Sequence, residues 1–296
     1  MALLAAAHGS GGGYRVTRAR WEMGTLLEID AIGVGRNGTE QAVAAALAAV
    51  EEVDRRLSNW KPDSELSLAN ATASGSPVPL SPATWRSLSL AISVARETGG
   101  AFDPTVGVFT GSPTVGWENV ILDPGSRSLA FGVAGGAIDS GGFGKGEALD
   151  RAIRELERGG VRSARLNFGG QISVLGSKLA DVSIAEPVAG SGRELCSFRA
   201  PGGGSVSTSG VSEKPGHIVD PRTGSPARFR GSVTVVADTG LRADALSTAL
   251  FVLGPATGLD FANRHGIAAL FVVPRGNRRW DLVRSRRFPP LSSFQD

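Results

Sequence analysis

The sequence predicts an α+β fold: a mainly antiparallel sheet with grouped helices. Strand-like segments come in runs instead of alternating strictly with helices, which argues against a doubly wound sheet. Helical spacing of apolar residues is confined to a few long segments. No linker-like stretch or internal repeat divides the chain. Residues 14–296 therefore read as a single compact domain behind a flexible leader over 1–13, built on His8-Gly-Ser-Gly-Gly-Gly13.

The elements follow in order. Tyr14–Arg20 and Leu26–Val34 have strand character, with Met23-Gly-Thr25 between them. Thr39–Leu57 reads as a helix capped by Thr39, with Val43, Leu47, Val50, Val53 and Leu57 on one face. Ser81-Pro82 opens a second helix with serine as cap and proline in the first turn. Trp85, Leu88, Ile92 and Ala95 form its buried face, and Gly99-Gly100 ends it. A third helix follows Asp139-Ser-Gly-Gly-Phe-Gly-Lys-Gly146 and runs to about Arg158. Strands are expected at Ala164–Phe168, Ile172–Leu175, Val182–Ala185, Ser205–Thr208 and Ser232–Ala237. A helix carrying Asp244 runs to about Leu253 and another spans Pro255–His265. Ala268–Val273 and Trp280–Val283 close the fold.

Composition excludes several function classes. The 31 basic and 28 acidic residues leave a net charge of +3, too small to argue for nucleic acid, and none is expected as a partner. One cysteine, Cys196, excludes an intrachain disulfide and a cysteine-based metal cluster. Three histidines make a multi-histidine metal site equally poor. No run approaches the roughly 20 apolar residues of a membrane span. Met1–Ala7 is apolar but short and lacks a preceding basic residue, so it fails as a signal peptide.

Four segments carry candidate chemistry. Asp244 and Thr248 lie four residues apart and share a helix face. A carboxylate plus a hydroxyl is a poor zinc site but suits magnesium, which completes its shell with waters and substrate phosphates. Their apolar neighbours would leave the carboxylate desolvated unless it is paired or bound to metal. In the glycine loop, Lys145 and the following helix N-terminus suit a phosphate, although the same residues can form a plain turn with a solvated lysine. His217 precedes Ile-Val-Asp-Pro-Arg-Thr-Gly224, a good turn, where it is either an exposed side chain or a base. Asp220 and Arg222 can pair to hold that turn. Gly99–Gly107 frames Asp103-Pro104, and Ser64, Glu65 and Asn70 read equally well as a polar loop. His265, before Gly266, is a helix-end residue. Six arginines between Arg275 and Arg287 read as a solvated hairpin or a surface for anions.

Together these segments resemble the ApbE family, the FAD:protein FMN transferases. The resemblance covers about Met23 to Val273. It rests on Met23-Gly-Thr25, Leu57-Ser-Asn-Trp60, Asp63-Ser-Glu-Leu66 with Asn70, and Gly100-Ala-Phe-Asp-Pro-Thr-Val-Gly107. The glycine loop, Asn167-Phe-Gly-Gly170, Thr208-Ser-Gly210, the His217 turn and Ala243-Asp-Ala-Leu-Ser-Thr-Ala249 continue it in family order. Trp60 stands where the family often has tyrosine, and Glu147 where it often has an aromatic.

The resemblance implies FAD as substrate, Mg2+ as cofactor, and transfer of FMN to a Ser or Thr hydroxyl of a target protein with release of AMP. The implied acceptor is a membrane-bound electron-transfer subunit carrying a motif like Asp-x-x-(Ser/Thr)-Gly-Ala-Thr. Carried over, Met23 and Trp60 contact the flavin, and Ala101, Phe102 and Asp103 line the adenosine side. Asp139 and Lys145 hold the ribose and phosphates, and Ile218 touches FAD through its backbone. Gly142, through its carbonyl, joins Asp244 and Thr248 on magnesium, with Ser247 helping. His217 is the implied base. Family members are often exported and anchored behind a cysteine; Cys196 lies inside the expected fold. Two other readings stay open: an FAD pyrophosphatase using the same site, and an FAD-binding module without turnover.

Overall fold

The computed structural model describes residues 13–107, 114–177, 179–211, 216–276 and 279–294. Apart from Gly13, the expected leader lies outside the described residues. The chain opens with a hairpin, β1 (Tyr14–Glu22) and β2 (Thr25–Gly33). Helix α1 (Arg36–Leu57) follows, then α2 (Glu65–Thr72), β3 (Val78–Pro79) and α3 (Pro82–Glu97). Strands β4 (Val120–Asp123) and β5 (Ser128–Phe131) precede α4 (Gly144–Arg158). Next come β6 (Ser163–Phe168), β7 (Gln171–Leu175), β8 (Ala180–Ala185), β9 (Glu194–Ala200) and β10 (Ser205–Gly210). A short hairpin, β11 (Val219–Asp220) and β12 (Ser225–Pro226), leads to β13 (Ser232–Ala237) and α5 (Gly240–His265). The last strands are β14 (Ala268–Gly276), β15 (Arg279–Arg284) and β16 (Leu291–Phe294).

An eight-stranded sheet in the order β1-β2-β6-β7-β10-β13-β14-β15 forms the centre, and every neighbouring pair in it is antiparallel. Side chains alternate between its faces. Along β14, Ala269 and Phe271 join the core under the helices, whereas Leu270 and Val272 join a second core. That second core lies beneath a three-stranded sheet, β16-β9-β8, where Cys196 and Phe198 are fully buried. Burial pushes the Cys196 thiol up to about 11, so it stays a neutral packing residue. The result is an α+β molecule with helices on one face of an antiparallel sheet.

The structure corrects several element readings. Helix α1 starts at Arg36, one turn before Thr39; Gly35 is its cap, and Thr39 Oγ1 instead donates to the Gly35 carbonyl at 2.7 Å. The polar stretch after Trp60 is a helix, α2, capped by Ser64 accepting from the Ser67 N–H at 2.9 Å. Glu65 ties α2 to the start of α3 by accepting from Ser81 and Thr84. By length and composition α5 could cross a membrane, unlike the sequence expectation for every segment. It is a core helix here, broken at Gly254 (φ 73°) before Pro255, with Leu246, Ala249 and Leu250 buried. The break agrees with the expected two helices. Arg275 on the β14–β15 hairpin faces Asp281 at 3.5 Å across the turn, as a solvated hairpin requires.

Two features position the site. First, β10 pairs with β7 only at Ser205↔Ser173 and Val206↔Ile172, while its pairing with β13 continues to Gly210. The central sheet therefore splits beyond Val206, and the split opens a cleft. Second, α4 and α5 meet at their N-termini by backbone contact. A Cβ on Gly146 would lie 2.2 Å from the Gly240 carbonyl, so only glycine fits there. Asp150 fixes the junction by accepting from the Gly240 and Leu241 N–H groups at 2.6 and 3.0 Å.

The Asp150 clamp has a pH signature. Burial raises its carboxyl from 3.8 to about 6, against the pull of the two N–H groups. The folded chain then holds more protons than the unfolded one between pH ~4 and ~6, so this group's contribution to stability falls as pH rises through that window. A displacement of this size corresponds to at most about 3 kcal/mol. In urea unfolding at pH 4 and pH 7, Asp150→Asn is expected to lose less stability over this interval than the parent. An identical loss in both proteins would remove Asp150 as the titrating group.

Candidate active site

The cleft at the sheet split has a volume of about 420 Å³. At least six parts of the chain wall it. The loop after α3 contributes Ala101, Phe102 and Asp103, and the glycine loop contributes Asp139, Gly141, Gly142 and Lys145. The end of β10 supplies Ser207 to Gly210, and the turn before β11 supplies His217 and Ile218. Asp244 and Thr248 of α5 complete the inner wall, while Ser183 to Pro187, at the end of β8, close the opposite side.

Asparagines that the sequence reading left without a role hold the glycine loop. Asn59 and Asn70 both donate to the Ile138 carbonyl at 2.9 Å, and Asn70 accepts from the Ile138 N–H at 2.8 Å. Asn59 also accepts from the Ser140 N–H at 2.8 Å. The loop then turns on Asp139, whose Oδ1 accepts from the Gly141 N–H at 2.8 Å. The Asp139 N–H donates to the Pro104 carbonyl at 2.6 Å, joining this loop to the one carrying Asp103. Asp103 itself is committed to its own loop: its oxygens accept from the Thr105 N–H and hydroxyl, each at 2.8 Å, and from the Trp117 N–H at 3.0 Å. Burial raises its carboxyl above the usual range despite these bonds.

Asp244 is a buried charge in the cleft, with 6% exposure. Its Oδ2 accepts from the Gly146 N–H at 3.2 Å. Burial pushes its carboxyl up, opposed by Lys145, the Gly146 N–H and the Ser207 hydroxyl. Thr248, one turn on, donates to the Asp244 carbonyl at 3.2 Å and keeps hydroxyl lone pairs for a ligand. A Cβ on Gly142 would stand 3.6 Å from Thr248 Oγ1 and 3.0 Å from the Phe102 ring, so this glycine brings loop backbone close to the helix. The side-chain donors at this point are one carboxylate and one hydroxyl, both oxygen. That chemistry fits magnesium and does not fit zinc or copper. Among the described residues no group of three or more His, Cys, Asp or Glu could hold a metal.

The structure brings together Ala101, Phe102, Asp103, Asp139, Gly142, Lys145, His217, Ile218, Asp244 and Thr248. Three expected residues do not line the cleft. Ser247 is fully buried and turned under the helix, with its hydroxyl bonded to Ser209 at 2.9 Å, Ser207 at 3.3 Å and the Asp244 carbonyl at 2.9 Å. It supports α5 on β10. Met23, at the β1–β2 turn with φ 44°, packs toward Gly144 behind the glycine loop. Trp60 is 75% exposed beside the Asn59 clamp. Both flank the glycine loop. Glu147 is also absent from the wall: it is buried and accepts from Arg151 Nε at 2.8 Å, with Arg154 and Arg56 at 3.9 and 4.0 Å.

His217 stands at the mouth on a turn that Arg222 stiffens through two 2.8 Å hydrogen bonds to Asp220. The paired arginine keeps the Asp220 carboxyl low. The cleft therefore joins the Asp244–Thr248 pair, the glycine loop with Lys145 and the His217 imidazole within one enclosure.

Known proteins share this fold. The family model described as the ApbE family matches residues 23–112 and 110–271. An FAD:protein FMN transferase of Klebsiella pneumoniae is 28% identical over 305 residues, covering 90% of this chain and 87% of the relative. One from Rhodobacter capsulatus is 30% identical over 294 residues, covering 87% of this chain and 55% of its own. The flavin transferase ApbE from Vibrio cholerae superposes with a TM-score of 0.80 at 25% identity, over 93% of this chain and 98% of that one. The ApbE protein of Thermotoga maritima gives a TM-score of 0.81 at 25% identity, over 92% and 97% of the two chains. The chain belongs to the ApbE family.

Proposed function

We propose that this protein is an FAD:protein FMN transferase. It moves FMN from FAD to a Ser or Thr hydroxyl of an acceptor protein in a Mg2+-dependent reaction that releases AMP. The observation that carries this reading is the meeting of Asp244 and Thr248, Lys145 and His217 in one cleft. The relatives' names support the flavin donor and the protein acceptor.

The residues divide the work. Asp139, Lys145 and the glycine loop hold the diphosphate and ribose, with Ala101, Phe102 and Asp103 shaping the adenosine side. Ile218 meets FAD through its backbone, and Met23 and Trp60 approach the flavin from outside the glycine loop. Asp244, Thr248 and the Gly142 carbonyl would hold the metal, while Ser247 acts from beneath the helix. When bound, magnesium neutralises the diphosphate and the charge developing on AMP. The acceptor oxygen bonds to the FMN phosphorus as its proton passes to His217. The phosphoanhydride bond breaks, and AMP leaves with the bridging oxygen. Orientation of the diphosphate in the cleft aligns it for in-line attack. The proposed acceptor is a membrane-bound electron-transfer subunit.

The test is direct. Incubate the protein with FAD, Mg2+ and a domain carrying the acceptor motif, and follow flavin fluorescence in the denatured acceptor band. Labelled acceptor with equimolar AMP is expected. Free FMN and AMP without labelling would make the protein a hydrolase, and unchanged bound FAD would make it a binding module.

A further inference from the structure

The split in the central sheet leaves one strand edge open to the cleft. Strand β7 begins at Gln171, directly after the Gly169-Gly170 turn (φ 57° and 86°), so it has no residues to set beside the end of β10. Its pairing with β10 stops at Val206↔Ile172, whereas β13 accompanies β10 as far as Gly210↔Ser232. From Ser207 to Gly210, β10 therefore has a strand on one edge and the cleft on the other. At about 3.3 Å per residue, this free stretch is roughly 13 Å long.

Strand geometry fixes what the edge presents. Residues of a strand between two antiparallel neighbours point their N–H and C=O alternately to one side and the other. The Gly204 carbonyl accepts from the Val174 N–H on the β7 side at 2.9 Å. Counting by twos, Val206, Thr208 and Gly210 share that side, and the last two lie past the final β7 pair. Among the described residues, no backbone hydrogen bond outside the sheet ladders involves Ser207 to Gly210. The stretch is neutral and its side chains are small, so they leave the backbone accessible. It also borders the proposed chemistry: Ser209 Oγ lies 3.5 Å from Thr248 Oγ1, and His217 lines the same cleft. Interleaved donors and acceptors match another strand. A diphosphate only accepts, and its oxygens would meet the edge carbonyls unfavourably.

We propose that the acceptor protein enters the cleft as an extended segment that pairs with the free edge of β10, bringing its Ser or Thr hydroxyl to the site of transfer. This rests on the transferase reading of the cleft and adds the conformation in which the acceptor is recognised. Main-chain hydrogen bonds at Thr208 and Gly210 supply the grip, and the acceptor's side chains point alternately to either face. The target hydroxyl must then lie in a loop or terminus that can extend, because a helix has spent its N–H groups on itself.

The test uses FAD, Mg2+ and a peptide carrying the acceptor motif, with a series of the same peptide N-methylated at one residue at a time. N-methylation removes one N–H and keeps every side chain. Only every second N–H of a paired strand faces β10. The acceptor KM is therefore expected to rise about tenfold or more at alternate residues, and less than about threefold at those between. Thr208→Pro deletes the matching N–H of β10. That N–H lies outside the ladder with β13, so the strand is expected to form. The acceptor KM of this variant is expected to rise about tenfold, while its FAD KM changes less than about threefold.

A labelled parent peptide whose N-methyl series shows no alternation would overturn the strand pairing and leave the transferase reading standing. So would a peptide left unlabelled while the intact acceptor domain is labelled, because strand pairing needs no folded acceptor. If peptide and domain both stay unlabelled, the pairing and the transferase reading fall together. A Thr208→Pro chain that loses FAD affinity and keeps acceptor affinity would assign the edge to the dinucleotide and overturn the proposal. Should Thr208→Pro not fold, the N-methyl series on the parent protein decides alone.

Discussion

Asp244→Ala is expected to lower metal-dependent AMP release from FAD by about a thousandfold or more, roughly 4 kcal/mol of lost transition-state stabilisation. The size follows from the donor set. Asp244 is the one carboxylate of the proposed metal site, and Thr248 and the Gly142 carbonyl are neutral. Without it no charged side chain assigned to the metal holds the cation against the pull of water. The fold is expected to survive, because burial already raises this carboxyl and opposes its ionised form. Removing a desolvated charge relieves that cost, although it frees the Gly146 N–H and the Ser207 hydroxyl. The thermal midpoint should therefore stay within a few degrees of the parent or rise. Asp244→Asn, which keeps an acceptor for Gly146, should be as inactive and at least as stable. AMP release and thermal unfolding are measured on the same samples. Near-parent turnover with added Mg2+ would remove the metal assignment, and collapse of the fold in both variants would recast Asp244 as structural.

Much of the fold was legible because the long elements carry their own periodicity. Helix α3 follows from apolar spacing, and Ser81 is the cap expected, accepting from the Thr84 N–H at 3.2 Å. The misses share a cause. The first turn of α1, Arg36 to Gly38, has no apolar residue to announce it, so Thr39 took the role of cap. Helix α2 is eight residues long and buries only Leu66 and Ala69, too few for a pattern. The strand β9 went unseen because it pairs with β16, far along the chain, and packs into the second core.

The site shows the same boundary between local and distant information. Asp244 and Thr248 were readable because a helix puts four-apart residues on one face. Ser247 was not separable from them by spacing: its three-residue offset also meets that face, and only the docking of β10 turns it inward. Glu147 lies one residue beyond the glycine loop, yet Arg56 of α1 and Arg151 claim it for the interior. The wall formed by Ser183 to Glu186 has no motif at all. It exists because the end of β8, a strand of the three-stranded sheet, reaches the cleft where β7 and β10 part.

His217→Ala is the second large effect and separates chemistry from binding. Labelling of the acceptor is expected to fall about 10²- to 10⁴-fold, the usual contribution of a positioned base. The reason is the hydroxyl it serves: an alcohol holds its proton far above neutral pH, so attack on phosphorus needs a partner for that proton. FAD affinity should change by less than about threefold, because the contacts assigned to the diphosphate and adenosine come from other elements. The turn itself should hold, since Arg222 and Asp220 brace it without the imidazole. His217→Gln keeps a polar side chain but no base and should be equally slow. Added imidazole should restore part of the rate in the alanine variant and none in the parent, which a merely structural histidine would not do. If His217→Ala labels its acceptor at the parent rate, the proton must leave by another route. Among the described residues lining the cleft there is then no second imidazole, and His265 is stacked on Phe261 at the far end of α5, with ring centroids 4.1 Å apart.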